Sequence, residues 1–123
     1  MSKTSDLFET YYKYNKINDE YPIIFVHGIG LDHRIWDDQI SFFKKYNTVV
    51  YDLVGHGKTP LEKTQLNFDD YTKQLLNLID ELNLNKIHLV GFSLGSLIAR
   101  DFAANHGDRL VSLTIFGTVY KRT

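Results

Sequence analysis

The chain has 123 residues, 43% of them hydrophobic, and 14 Lys and Arg against 15 Asp and Glu give a formal charge of −1. That suits one globular domain or part of one, and the near balance gives no electrostatic case for nucleic acid or an anionic membrane surface as a partner. Without cysteine, disulfides and thiolate chemistry are excluded; with a polar start and no run approaching a membrane span, the expected location is cytoplasmic.

Residues Leu7 to Ile17, with Phe8, Tyr11, Tyr12 and Tyr14, read as one or two early strands, and Asn18, Asp19 and Glu20 form a turn before Pro22. Ile23 to Val26 is apolar on both faces, which suits a parallel strand covered on both sides. It stops at His27-Gly28-Ile29-Gly30. Asp32 can cap a helix in which Trp36, Ile40 and Phe43 recur at spacings of four and three. Asn47 to Tyr51 is the next buried strand, and it runs into a loop of turn formers from Asp52 to Pro60. From Asn67, a plausible N-cap, Phe68, Tyr71, Leu75, Leu78, Ile79 and Leu82 form a helical stripe. Ile87 to Val90 is a short strand, followed by a helix from about Leu94 that carries Leu97, Ile98, Phe102 and Ala103 and ends near Gly107. Leu110 to Phe116 is the last strand. No repeat or linker interrupts the chain. The order β, β, α, β, α, β, α, β predicts an α/β fold: a mostly parallel sheet with right-handed crossovers and helices on both faces.

Between the strand ending at Val90 and the helix from Leu94 stands Gly91-Phe92-Ser93-Leu94-Gly95, a G-x-S-x-G pattern. A strand that feeds a helix with almost no loop forces the central serine into a strained backbone and lifts its hydroxyl clear of the sheet. Gly91 and Gly95 lack the Cβ that would keep strand and helix apart. The serine hydroxyl is a weak nucleophile and needs a neighbouring base.

Taken in order, three segments resemble the N-terminal half of the α/β-hydrolase superfamily. His27-Gly28-Ile29-Gly30 resembles its oxyanion loop, and Asp52 to Thr59 its D-x-x-G-x-G-x-S loop, with Thr59 where serine is usual. Gly91 to Ser96 resembles its nucleophile elbow, with Ser96 where many members carry a second glycine. The resemblance covers most of residues 22 to 118. It implies acyl transfer to Ser93 and hydrolysis of the acyl-enzyme. The backbone N–H groups of Ile29 and Leu94 would hold the oxyanion, and His27, Gly28, Gly91 and Gly95 would support loop and elbow. The implied substrate is a small ester, thioester or lactone, with no cofactor and no metal. Oligomeric state is left open.

The family's order is Ser, then Asp or Glu, then His. After Ser93 the chain offers Asp101, His106 and Asp108, all within or at the end of the following helix. At about 1.5 Å per residue, His106 lies roughly 18 Å from Leu94, too far to serve Ser93. It reads as an exposed helix end that favours the C-terminal dipole. His27 reads as fixing its loop, His33 as opening a surface helix, His56 as lying in a mobile loop, and His88 as a satisfied core residue. The acid and base are therefore expected beyond Thr123, and residues 1–123 are expected to be the N-terminal portion of a single domain, truncated after the strand that follows the nucleophile helix. Alternatives on the same fold are a non-catalytic binder or inactive fragment, an acyltransferase, and a cofactor-free peroxidase.

Overall fold

The computed structural model describes residues 2–61 and 66–117, and six strands among them form one sheet. These are β1 (Ser2–Lys3), β2 (Tyr11–Asn15), β3 (Ile23–Val26), β4 (Thr48–Tyr51), β5 (Ile87–Phe92) and β6 (Leu110–Phe116), in the spatial order β1-β2-β4-β3-β5-β6. Parallel pairing joins β4, β3, β5 and β6, whereas β2 lies antiparallel on β4 and β1 antiparallel on β2.

The helices are α1 (Asp37–Phe42), α2 (Phe68–Glu81) and α3 (Leu94–His106), with 3-10 turns at His33–Trp36 and Gly107–Arg109. Alternation along the central strands sends side chains to two covers. Ile24, Val26, Val49, Tyr51, Ile87 and Leu89 meet Leu75, Leu78 and Ile79 of α2 and Ile98, Ala99 and Phe102 of α3 in the main core. Phe25 and Val50 face the other way, against Trp36, with Ile40 and Phe43 of the α1 region partly covering them. A fully buried leucine or isoleucine contributes about 1.5–3 kcal/mol relative to exposure, so the α2–α3 side carries most of the stabilisation. Asn67 stands in extended backbone at the start of α2, and its N–H donates to the Asp70 carboxylate at 2.9 Å. That satisfies one donor at the helix entry.

Several boundaries move from their sequence-based places. Leu7 to Thr10 is a turn rather than strand, because the Thr4 N–H donates to the Thr10 carbonyl and the Thr10 N–H to Thr4 Oγ1, closing a loop between β1 and β2. The helix expected from Asp32 begins as a 3-10 turn, with the Asp32 carboxylate accepting from the Arg34 N–H, and only six residues follow in α form. β5 continues past Val90 to Phe92. α3 ends at Gly107, but there the glycine has φ −60°, so it is not used for left-handed backbone and the chain passes into a further 3-10 turn. None of the described helices is long and apolar enough to cross a membrane.

Candidate active site

Ser93 sits between the last residue of β5 and the first of α3 with φ 57° and ψ −116°. A non-glycine residue in so sparsely populated a region costs about 1–3 kcal/mol and persists only where its surroundings hold it. Both of its backbone groups are held. The Ser93 N–H donates to the Phe116 carbonyl at the end of β6 at 3.1 Å. Its carbonyl accepts from the Ser96 N–H at 2.9 Å, the Ser96 hydroxyl at 2.6 Å and, more weakly, the Leu97 N–H at 3.4 Å. The flanking glycines permit the tight passage. A Cβ on Gly91 would collide with the Gly95 carbonyl, and one on Gly95 would collide with the Val26 carbonyl at the end of β3.

The loop after β3 lies against this turn. A Cβ on Gly28 would stand 3.2 Å from the Ser93 Cβ and 3.5 Å from the Phe92 ring. Beyond it the chain turns back, with the Leu31 N–H donating to the Gly28 carbonyl at 3.3 Å and Gly30 at φ +75°, and Ile29 projects into solvent. Neither the Ile29 N–H nor the Leu94 N–H has a protein acceptor among the described residues. Leu94 also opens the 13-residue α3, so its N–H lies at the positive end of that helix's dipole.

His27 fixes the loop from beneath. Its Nδ1 donates to the Gly28 carbonyl at 2.7 Å, and its Nε2 accepts from the Leu53 N–H at 3.0 Å. Both ring nitrogens are thus engaged, which leaves the neutral imidazole no free lone pair with which to act as a base on Ser93. Burial pushes its pKa down, outweighing the Gly28 carbonyl, and the neighbouring His56 acts in the same direction. The loop after β4 is equally tied. The buried Asp52 carboxylate accepts from the His33 N–H and His33 Nδ1, each at 2.8 Å, and from the Lys58 N–H at 3.0 Å. A Cβ on Gly57 would strike that carboxylate, and Thr59 Oγ1 accepts from the Tyr11 N–H at 2.9 Å.

The remaining histidines depart in part from expectation. His56 is half-buried, with its ring 5.2 Å from that of His27 and Nδ1 3.0 Å from the Val54 carbonyl, so its loop is anchored by contacts. His88 is not in the core: on β5 it faces the less covered side, half-buried, 2.8 Å from the Ser112 hydroxyl. His106 packs half-buried on Phe102 with ring centroids 5.1 Å apart. Among the described residues, none of the five histidines hydrogen-bonds to Ser93. Asp101 accepts from the Thr72 hydroxyl at 2.6 Å, which joins α3 to α2 away from the elbow.

Asp32, His33 and Asp52 bring their ligating atoms within 4.8 Å of one another. Those atoms already serve protein partners: Arg34 holds Asp32, depressing its carboxyl to about 2, and His33 and Lys58 occupy Asp52. A cavity of about 990 Å³ lies between the Lys3–Glu9 segment, Val54 and α2, and neither Ser93 nor the Gly28 loop lines it. The strained turn at Ser93 and the Gly28 loop packed on it, not cavity size, mark this candidate site. Two features of it were beyond the motif. In the sequence, Ser96 shows only as a departure from the family's second glycine. Gln74, which binds the Thr10 hydroxyl, the Asp52 carbonyl and the Val54 N–H, was signalled only as a polar residue within the stripe of Tyr71, Leu75 and Leu78.

Comparisons with known proteins agree with this architecture. A family model for the alpha/beta hydrolase fold matches residues 21–121. The chain is 31% identical over 103 residues to (E)-2-((N-methylformamido)methylene)succinate hydrolase of Acinetobacter baylyi, covering 83% of this chain and 39% of that protein. It is 33% identical over 101 residues to 3-oxoadipate enol-lactonase 1 of the same organism, covering 80% and 37%. A solved structure from work on carboxylesterases of Nitrososphaera gargenis superposes with a TM-score of 0.89 at 27% identity, over 100% of this chain and 46% of that one. The chain therefore spans under half the length of these relatives. With the strand order, the turn at Ser93 and the matched model in agreement, the chain belongs to the α/β-hydrolase fold family.

Proposed function

We propose that the protein is a serine hydrolase that cleaves a small ester, thioester or lactone through an acyl-enzyme on Ser93. The observation that carries this reading is the strained turn at Ser93, held from both sides, with the Gly28 loop packed against its Cβ. Among the described residues, the N–H groups of Leu94, next to Ser93, and of Ile29, next to Gly28, have no protein acceptor, which supports their role as the two donors that a tetrahedral oxyanion calls for. Similarity to a lactonase and to carboxylesterases supports the substrate class.

In this mechanism Ser93 Oγ adds to the acyl carbon as its proton passes to a histidine base. The carbonyl π pair moves onto oxygen, facing Ile29 and Leu94, and collapse expels the alcohol or thiol, which takes the proton from the histidine. Water repeats the sequence on the acyl-enzyme and frees Ser93. The base and its acid belong to residues beyond Thr123, and residues 1–123 are the N-terminal portion of a single hydrolase domain. No step calls on a cofactor. In the full-length protein a fluorophosphonate probe labels Ser93, and Ser93→Ala abolishes labelling and lowers ester turnover by up to about a millionfold. A folded full-length protein that resists the probe overturns the reading, and binding of an ester without turnover points to the non-catalytic alternative.

A further inference from the structure

The Ser93 carbonyl receives three donors, and the shortest is a side chain. The Ser96 hydroxyl, on a fully buried residue, reaches it at 2.6 Å, against 2.9 Å for the Ser96 N–H and 3.4 Å for the Leu97 N–H. The Leu97 bond, the one a regular helix would make to a residue four positions back, is long, so the Ser93 carbonyl is held mainly by the two donors of Ser96, its N–H and its shorter hydroxyl bond. That carbonyl belongs to the same planar peptide unit as the Leu94 N–H, and the two groups point to opposite sides of it. A rotation that frees the carbonyl must therefore swing the N–H by the same angle.

We propose that Ser96 is a positioning residue: its hydroxyl, by pinning the Ser93 carbonyl, aims the Leu94 N–H at the oxyanion. The proposal rests on the reading of Ser93 as nucleophile and Leu94 as donor. Ser96 touches neither substrate nor reacting atoms and acts only through the peptide plane. The Ser93 N–H bond to Phe116 cannot substitute for it, because that N–H lies in the preceding peptide unit.

The test uses the full-length protein as wild type, Ser96→Ala and Ser96→Thr. It measures kcat and KM on a p-nitrophenyl ester and the affinity of a trifluoromethyl ketone. Ser93 Oγ adds to that ketone, and the resulting hemiketal oxygen takes the oxyanion position. Ser96→Ala is expected to lower kcat and ketone affinity together by about tenfold, with KM within about twofold, while Ser96→Thr, which keeps the hydroxyl, retains most of both. A purely structural role would lower folded content without dividing kcat from KM, and circular dichroism with active-site titration separates the two. If the threonine methyl disrupts the fold, Ser96→Gly serves as a second hydroxyl deletion and must match Ser96→Ala. Ketone affinity and kcat within about twofold of wild type in Ser96→Ala overturn the proposal alone. A wild type that no fluorophosphonate labels at Ser93 overturns both it and the functional reading.

Discussion

Glycines at 95 and 107 differ in what a methyl group would meet, and this difference sets opposite outcomes. At Gly95 a Cβ would run into the Val26 carbonyl and lie 2.8 Å from the His27 carbonyl, both backbone atoms that cannot rotate aside. Gly95→Ala is expected to destabilise the protein by about 3 kcal/mol and to displace the elbow, because relief requires moving α3 off β3. At Gly107 nothing lies within 4 Å and φ is −60°, so Gly107→Ala is expected to be neutral or to stabilise by up to about 1 kcal/mol. Urea denaturation of both variants reads the contrast directly. His27 supplies a second prediction at this scale. Its pKa lies below the ordinary value, so below about pH 6.5 the unfolded chain takes up a proton that the native residue refuses. The unfolded state then binds more protons, and stability rises with pH through that window. This contribution is complete above about pH 6.5 and is lost as the pH falls from there towards the native pKa. The urea midpoint of wild type is expected to fall more between pH 7.5 and 5.5 than that of His27→Gln; parallel losses would show that the window belongs to other groups.

The loop from Asp52 to Thr59 behaves as one element because a single buried carboxylate gathers three donors from two segments. Asp52→Ala leaves the His33 N–H, the His33 ring and the Lys58 N–H to find water, and it is expected to cost about 2–4 kcal/mol. Denaturant unfolding measures the loss, and a cost below about 1 kcal/mol would mean that water replaces the carboxylate freely. The glycines and Thr59 of this loop were readable from sequence as a pattern, but His33, nineteen positions earlier, carries no local mark of its partner. The same distinction runs through the other elements. β3, β4, β5, α2 and α3 were legible because their apolar residues repeat with the period of the structure they form. β1 was not, since two polar residues carry no apolar period, and their pairing with Tyr11 and Tyr12 depends on the turn that the Thr4–Thr10 bonds close. α1 was expected longer because the Trp36, Ile40, Phe43 spacing continues a helical period through a segment that begins as a tighter turn. At the site, the serine and its glycines were explicit in sequence, whereas the carbonyl of Phe116 and the hydroxyl of Ser96 matter through backbone groups that no motif records.

The whole molecule is asymmetric about β3 and β5. On one flank β4, β2 and β1 continue the sheet; on the other, β6, which α3 contacts together with β5, is the outermost strand among the described residues. Val111, Leu113, Ile115 and Phe116 of β6 are 48%, 40%, 36% and 45% exposed. Residues 111, 113 and 115 share a face, and among the described residues no strand pairs with the outer edge of β6, which is the condition under which strands add to one another. A polypeptide of residues 1–123 alone is accordingly expected to self-associate through β6 at micromolar concentration. Leu113→Lys would place a charge in the middle of that face and return the sample towards monomer, as sedimentation velocity would show. The same substitution reports on the longer relatives' architecture. If further chain packs against β6 in the full-length protein, Leu113 becomes interior, and Leu113→Lys should there destabilise by about 3 kcal/mol or more instead of improving solubility. A benign effect in both settings would mean that β6 is a true edge, that nothing covers the face beside Ser93, and that an acid and base must reach the serine by some path other than an extended sheet.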